Sequence, residues 1–384
     1  MVEDGKITLR LSLGGIVIDN PLTKRVSLIE LFYDLVFVYM ISRATSLIHH
    51  LHNGVLSPVT LAIFVLVVIV FINSWMVQMV FTNRYGKSSW TNITFSFIDM
   101  AIVLYMSNAF TATFDRHLAT FFTAAGLLSL TLCLQYLIVY HQATNQVDRQ
   151  IARAFSEILG LRTVTLLIGG IFNNTVGTAI ALVGVIISWI APGFTGKYTQ
   201  HRPIIFSHLL ERLTALIILM FGETIVGIAD YFTPANFSVY SLLIFISVVS
   251  LFFTYIVEFD HLIEEKQTTE TGNLMIYLHY FILFGISLFT VALKFISEES
   301  AQPLFTASCL YGGIALFYIG LWLANHYNRI IINGRVVSFF IATTIAGFLV
   351  ASFWPLFATF TISIAVVTLI NAACLTSHTL KHNN

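Results

Sequence analysis

Two acidic residues lie in the first long apolar stretch of the chain, where a helix that faces lipid would carry none. The stretch covers residues 26–48 and reads VSLIELFYDLVFVYMISRATSLI, with Glu30 and Asp34 one helical turn apart. A charged residue at bilayer depth costs about 2.5–3.5 kcal/mol on insertion scales, so it normally faces a bundle interior or a water-filled path. The sequence therefore predicts a helix bundle that buries this pair.

The composition is that of a membrane protein. Of the 384 residues, 57% are hydrophobic and 10% are charged, and the mean hydropathy is +0.85. A soluble domain carries about 25% charged residues to cover its surface. The expected fold class is an all-α integral membrane protein, and the acids in the first apolar helix favour a retained anchor over a cleaved signal peptide.

Twelve stretches have the length needed to cross a bilayer, which is about 20 mostly apolar residues. The loops between them are short, so chemistry is expected within the membrane or at its face. The predicted spans are 26–49, 56–82, 93–114, 118–141, 154–172, 176–192, 204–231, 237–260, 273–296, 304–325, 335–354 and 356–377.

The distribution of lysine and arginine predicts an orientation. With the N-terminus in the cytoplasm, fourteen basic residues fall in cytoplasmic segments and one, Arg116, falls in an external loop. Cytoplasmic loops of membrane proteins carry an excess of lysine and arginine. The sequence therefore predicts a multi-pass protein of the plasma membrane with both termini in the cytoplasm.

An internal repeat is expected as well. A shift of 181 residues places Glu30 on Glu211 and six spans on six spans. An even number of spans gives two parallel six-helix repeats, related by an axis along the membrane normal. The predicted divisions are a cytoplasmic N-terminal segment at 1–25, a first repeat at 26–192, a cytoplasmic linker at 193–203, a second repeat at 204–377 and a cytoplasmic tail at 378–384.

The seventh span is the second polar helix. At 100° per residue, Arg212 shares one face with His208 and Glu223, and Glu211 lies one step round. We expect this helix to meet the first one and to form a path for a proton or a substrate. A carboxylate without a basic partner in a low-dielectric interior readily takes up a proton.

Within this path, we expect Asp34 to be the functional acid, with Glu30 and Arg212 as the pair that holds it in place. Asp99, in the third span, is a further candidate for the path. Secondary candidates are Glu157 and Arg162, expected as a buried ion pair that fixes helix register, and His279, expected as a hydrogen-bonded histidine of the bundle.

Two motifs resemble those of a known family. ELFYDLVFV at 30–38 resembles the first-helix motif of the bacterial low-temperature-requirement A family, and HLLERLTALIILMFGETIVGIA at 208–229 resembles its seventh-helix motif. The resemblance covers the whole chain in outline. It implies a multi-spanning plasma-membrane protein linked by name to growth in the cold, and it implies no particular reaction.

A second resemblance is weaker in its details. IELFYDLVF at 29–37 is similar to the first-helix FSD motif of a two-repeat family of potassium and proton channels. Tyr33 stands where that family has serine, and Ala215 stands at the position equivalent to Asp34 in the second half. These departures argue against a symmetric filter formed by both halves.

Three functions remain open at this stage. The repeat and the buried acid/base residues favour a secondary transporter, in one version proton-coupled, with its substrate near the midplane between the halves. The FSD resemblance favours a cation channel. The third alternative is a non-transporting membrane protein or an intramembrane enzyme. No nucleophile elbow, Cys/His dyad or phosphate-binding loop is present in the sequence, so neither an enzyme nor an ATP-driven pump is expected.

Partners and cofactors follow from the same features. The three cysteines, Cys133, Cys309 and Cys374, lie in apolar segments without metal-site spacing, so no metal or other cofactor is expected. The expected partners are membrane lipids and an unidentified small solute or ion. Nucleic acid is not expected, and a homo-oligomer is left open. A hydrated cavity between the two polar helices would favour transport, and a dry, fully paired seam would favour a structural role.

Overall fold

The protein is almost entirely helical in the computed structural model, which describes residues 24–86, 89–108, 114–172, 174–267 and 270–383. Within these ranges the β-structure consists of two isolated bridges. Twelve helices of 16 or more residues account for most of the described chain. They are α1 (Leu28–Thr45), α2 (Pro58–Tyr85), α3 (Trp90–Ser107), α4 (Phe114–Gln142), α5 (Gln146–Phe172), α6 (Thr175–Ile190), α7 (Phe206–Ile228), α8 (Val239–Ile256), α9 (Asn273–Phe295), α10 (Pro303–Ala324), α11 (Gly334–Phe353) and α12 (Phe357–Asn383).

Eleven helical segments of the described chain are long and apolar enough to cross a membrane. They coincide with eleven of the twelve predicted spans, including the last two, which Pro355 separates. The helix at the third predicted span, α3, carries Asn92 and Asp99 and is not among the eleven. The all-helical, multi-pass membrane fold is therefore confirmed, because helices satisfy their own backbone hydrogen bonds in lipid.

Short helical turns fill several connections. The predicted linker 193–203 is partly helical, and the predicted N-terminal segment 1–25 lies outside the described residues up to residue 23. The turns are the 3-10 helices Ser46–His49, Ala191–Thr195, Ala229–Phe232 and Asn325–Tyr327, the four-residue α-helix Gly196–Thr199 and a π-helical turn at Val257–Leu262.

The chain divides into two compact units, and the first comprises Met1–Leu47, Phe64–Ala215 and Glu265–Asn273. Within its described part, α4 packs against α3 and α5, α5 packs against α6, and α1 packs against α3. Tyr136 of α4 stacks on Phe155 of α5, with ring centroids 5.0 Å apart. All the polar residues of the candidate site described below belong to this unit.

The second unit comprises Ile48–Ile63, Leu216–Glu264 and Leu274–Asn384. In it α12 packs against α8 and α11, and α11 packs against α10. Helices α9 and α10 approach closely, since a Cβ at Gly313 would lie 2.8 Å from the backbone oxygen of Gly285 and from the backbone nitrogen of Phe289. Small residues permit such close helix contacts in membrane proteins.

Candidate functional site

The start of α1 fixes the position of Glu30. The backbone nitrogen and the hydroxyl of Ser27 each donate a hydrogen bond to Glu30 Oε2, at 2.8 Å in both cases. This reciprocal capping arrangement is favoured at helix N-termini, where a carboxylate also interacts well with the helix dipole. One carboxylate oxygen of Glu30 is thus used by the helix start, and the other, Oε1, faces the first half of α7.

Asp34 lies one turn further along α1 and is completely buried. The guanidinium of Arg212 donates two hydrogen bonds to it, from Nε to Oδ2 at 3.0 Å and from Nη2 to Oδ1 at 2.5 Å. Trp75 of α2 adds a third, from Nε1 to Oδ1 at 2.7 Å. Paired arginine–carboxylate bonds of this kind are among the strong hydrogen bonds of proteins. Both carboxylate oxygens of Asp34 therefore accept hydrogen bonds.

The contacts of Glu30 with α7 are weaker than those of Asp34. Its Oε1 lies 3.1 Å from Arg212 Nη1 and 3.4 Å from His208 Nε2. Neither contact has the directionality of a hydrogen bond, and both Glu30 Oε1 and His208 Nε2 are left without one among the described residues. We call Glu30, Asp34, His208 and Arg212 the acid/base cluster.

Asn83 of α2 determines the orientation of His208. Its Oδ1 accepts from the backbone nitrogen of Ile205, and its Nδ2 donates to the backbone oxygen of the same residue, both at 2.9 Å. The amide is thereby oriented, and its Nδ2 also lies 3.2 Å from His208 Nδ1. A neutral imidazole that accepts at Nδ1 carries its proton at Nε2, so the N–H of His208 points toward Glu30.

The cluster therefore has an uneven charge. With His208 neutral, two carboxylates face the single guanidinium of Arg212, which leaves one negative charge in excess among the four residues of the cluster. A second proton on His208 would place a donor at Nδ1 against the donor group of Asn83. Glu30 Oε1 is the carboxylate oxygen of the cluster that accepts no directed hydrogen bond.

Two further groups surround the cluster. The guanidinium carbon of Arg212 lies 5.4 Å from the ring centroid of Trp75, within cation–π range. Lys24, just before α1, donates to the backbone oxygens of Thr82 and Gly86 at the end of α2. Burial lowers the pKa of Lys24, and the negative charge of Glu30 opposes this effect.

The seam that α1 forms with the first half of α7 is closed to solvent. Asp34 and His208 have no exposed surface, and Glu30 is 7% exposed. The seam is not fully hydrogen-bonded, however, because Glu30 Oε1 and His208 Nε2 are unsatisfied. It matches neither the hydrated cavity expected of a transport path nor the fully paired seam expected of a purely structural contact.

The other residues predicted for the path lie outside the cluster. Glu211 is exposed, and Glu223 lies in the part of α7 that belongs to the second unit. Asp99 is fully buried in α3 and accepts a hydrogen bond from the hydroxyl of Thr131, while its Oδ2 accepts none.

The predicted ion pair of Glu157 with Arg162 is wrong. Glu157 is exposed and pairs at 2.8 Å with Arg153, four residues earlier and on the same face of α5. Arg162 is buried and points toward α2, where it donates to Asn73 Oδ1 at 2.6 Å and to Ser74 Oγ at 2.7 Å. Arg162 lies five positions after Glu157, and that spacing turns their side chains about 140° apart on a helix.

His279 is buried in α9, within the second unit. Its Nδ1 lies 2.7 Å from the backbone oxygen of Met275, and its Nε2 lies 3.3 Å from the hydroxyl of Tyr255. The hydrogen bond to an oxygen four residues earlier is local to α9. His279 therefore belongs to the packing of the second unit and is separate from the acid/base cluster.

Sequence reasoning missed three polar residues. Trp75 and Asn83 of α2 complete the cluster. Their only signal in the sequence is their spacing of eight positions, which places them about 80° apart around that helix. The third is Glu258, which is fully buried in the π-helical turn after α8. Its position inside the predicted span 237–260 is the sequence signal that indicates a buried acid.

Comparison with known proteins supplies a family. Residues 25–372 match the family described as Bacterial low temperature requirement A protein (LtrA). The match includes both motifs on which the resemblance depended. No curated protein matches the chain.

Proposed function

This chain belongs to the bacterial low temperature requirement A family. We propose that it is a proton-coupled secondary transporter of the plasma membrane, with both termini in the cytoplasm. The observation that carries the proposal is the uneven charge of the acid/base cluster. Two buried carboxylates share one guanidinium, and one carboxylate oxygen lies beside a histidine N–H without a directed hydrogen bond. Such a group gains and loses a proton more readily than a fully paired one.

In this proposal Glu30 carries the proton and Asp34 does not, which reverses the roles that the sequence predicted for these two acids. Ionised Glu30 attracts Arg212 and His208 across the seam of α1 with α7. Protonation removes that attraction, while the two hydrogen bonds from Arg212 to Asp34 keep the guanidinium in place. Gain and loss of one proton thus loosen and tighten the seam, which is the bistable element that coupling requires.

The helix bounds support an internal repeat, which many transporters contain. Helices α2 and α8 begin 181 residues apart, at Pro58 and Val239, and α5 and α11 end 181 residues apart, at Phe172 and Phe353. The same shift relates the two motif helices. We therefore propose that the chain arose by duplication of a six-helix unit, and that its activity is transport rather than enzymatic catalysis.

The test is proton movement in proteoliposomes. Purified protein is reconstituted with a trapped pH-sensitive dye, and a panel of monovalent cations, amino acids and organic cations is added outside. We expect at least one solute to move protons above the level of protein-free liposomes. Glu30→Gln should abolish this flux, and Glu211→Gln, which removes an exposed carboxylate next to Arg212, should preserve it.

Three results would overturn the proposal. The first is a panel in which no solute moves protons. The second is a Glu30→Gln variant that moves protons as fast as the original protein. The third is a solute-independent ionic current across planar bilayers, which would support the cation-channel alternative. Before the flux assay, elution as a single species in size-exclusion chromatography confirms that the Glu30→Gln variant is folded.

A further inference from the structure

A second buried carboxylate lies in the second unit, where α8 ends in the π-helical turn Val257–Leu262. Glu258 is in this turn and has no exposed surface. π-helical turns are rare in proteins, and those that occur often lie at functional sites, because they shift side chains away from the regular helical positions. An acid that the turn directs into the protein interior needs a physical explanation.

Hydrogen bonds hold the segment after α10 against the turn that carries Glu258. The segment after α10 pairs with the end of the turn through two backbone hydrogen bonds, from Glu264 N to Tyr327 O at 2.9 Å and from Arg329 N to Leu262 O at 2.8 Å. This pairing holds Asn328 against the turn, and its Nδ2 donates to Glu258 Oε1 at 2.7 Å.

The same pair has two unsatisfied acceptor atoms. Glu258 Oε2 and Asn328 Oδ1 are both buried, and neither takes part in a hydrogen bond among the described residues. None of the ion pairs in the described chain includes Glu258. An ionised carboxylate in this place would be a buried charge without a countercharge, which is strongly unfavourable. A water molecule could donate to both oxygens, but it would leave that charge uncompensated.

We propose that Glu258 is a proton-binding site and carries its proton in this conformation, so that the acid and the amide of Asn328 form a cyclic pair with two hydrogen bonds. The amide already donates to Oε1. A proton on Oε2 would donate to Asn328 Oδ1, so that one hydrogen atom satisfies both unsatisfied oxygens and removes the buried charge. This inference does not rest on transport by the cluster in the first unit.

The nearby ionisable groups leave Glu258 without a countercharge. On the turn itself, Asp260 and His261 are exposed. Arg329, on the segment after α10, pairs with Glu264 at 3.1 Å. His279 of α9 packs its ring against Phe259 and is bound to the backbone of its own helix. On α12, which packs against the turn, the ionisable groups are Cys374, His378, Lys381 and His382.

A sodium ion is the other occupant that two acceptor oxygens would fit. Hard cations of this kind take about six oxygen ligands, as calcium and magnesium do. The described residues supply two free side-chain oxygens here, and no group of three or more metal-binding side chains forms among them. A proton needs only the two oxygens, so the geometry favours it.

Infrared difference spectroscopy tests the proposal directly. A protonated carboxylic acid has a carbonyl stretching band distinct from that of a carboxylate. In protein reconstituted in nanodiscs at neutral pH, we expect Glu258→Gln to remove one such band. Glu264→Gln, which changes a partly exposed acid of the adjoining segment, should leave the band unchanged. A Glu258→Gln variant that keeps every protonated-acid band would overturn the proposal.

Two further measurements keep the test decisive. Asn328→Ala should shift the Glu258 band to higher frequency, because the carbonyl loses its hydrogen-bond donor, and an unchanged frequency would disprove the cyclic pair. Replacing choline chloride by sodium chloride at constant pH should leave the band in place. Loss of the band in sodium would identify the site as a cation site and overturn the proposal. Both measurements use the original Glu258, so they remain informative if Glu258→Gln does not fold.

Discussion

At the residue scale, Arg212 determines whether the acid/base cluster can stay buried. Its guanidinium makes two hydrogen bonds to Asp34 and an ionic contact with Glu30. Removing one partner of a buried pair leaves an uncompensated charge and costs about 3–5 kcal/mol. Arg212→Met should therefore lower the free energy of unfolding by this amount, and Arg212→Lys should recover only part of it, because an ammonium cannot form the two-pronged contact.

Thermal unfolding in detergent, followed by the loss of monomeric protein, measures this effect. The matched control is Arg153→Gln, which breaks the exposed pair with Glu157 on the surface of α5. Exposed ion pairs add little stability, so the control should unfold at the original temperature. An Arg212→Met variant as stable as the control would mean that the two carboxylates of the cluster are already protonated in the folded protein.

The residues of the cluster were predictable from sequence to different degrees. Glu30, Asp34 and Arg212 stand out because each is charged within a long apolar run. Their pairing was less accessible, because the forked contact of Arg212 with Asp34 depends on how two helices pack and not on spacing within either one. Asn83 could not be found by this reasoning, since an asparagine near the end of a span resembles an ordinary loop-side residue.

At the element scale, Gly313 is one of the glycines that allow α9 and α10 to pack closely. A Cβ at Gly313 would meet backbone atoms of α9 at 2.8 Å, whereas a Cβ at its neighbour Gly312 would meet only a leucine methyl group at 3.8 Å. Backbone atoms cannot move aside as a side chain can. Gly313→Ala should therefore destabilise the protein by about 1–3 kcal/mol, the usual cost of overpacking.

Gly312→Ala is the matched control, because it adds the same methyl group to the same helix. It should be neutral or slightly stabilising, since alanine is the better helix former by about 1 kcal/mol. The two variants are compared by thermal unfolding under identical conditions. Equal stability of the two would contradict the close approach of α9 and α10.

The elements themselves were the most predictable feature of the chain. Apolar length alone locates the spans, because lipid leaves the backbone no alternative to the helix. The predicted helix bounds are less accurate where polar residues belong to a helix. For example, α5 begins at Gln146, although the predicted span starts at 154. Residues 146–153 include Asp148, Arg149 and Arg153, so the apolar stretch begins later in the chain than the helix does.

At the scale of the whole molecule, the proposed shift of 181 residues relates some helix bounds but not the buried polar residues. The shift of 181 residues places Asp34 on Ala215, and it places buried Glu30 on exposed Glu211. The second unit instead buries Glu258, which the same shift relates to Val77. Under the proposed duplication, the two halves carry buried ionisable groups at positions that the shift does not relate, so their proton-binding sites would be unrelated.

The membrane topology depends on α3, whose polar residues keep it out of the eleven clear spans. Cysteines at three exposed connection residues, through His50→Cys, Thr144→Cys and Ala235→Cys, test it in a protein whose native cysteines are replaced. If α3 crosses the membrane, a membrane-impermeant maleimide should label positions 50 and 235 in intact cells and position 144 only after permeabilisation. If α3 does not cross, every connection after it changes side, and position 144 will be labelled in intact cells while position 235 is protected. The first pattern follows from the positive-inside rule, because a cytoplasmic 144 keeps Arg149 and Arg153 in the cytoplasm as well.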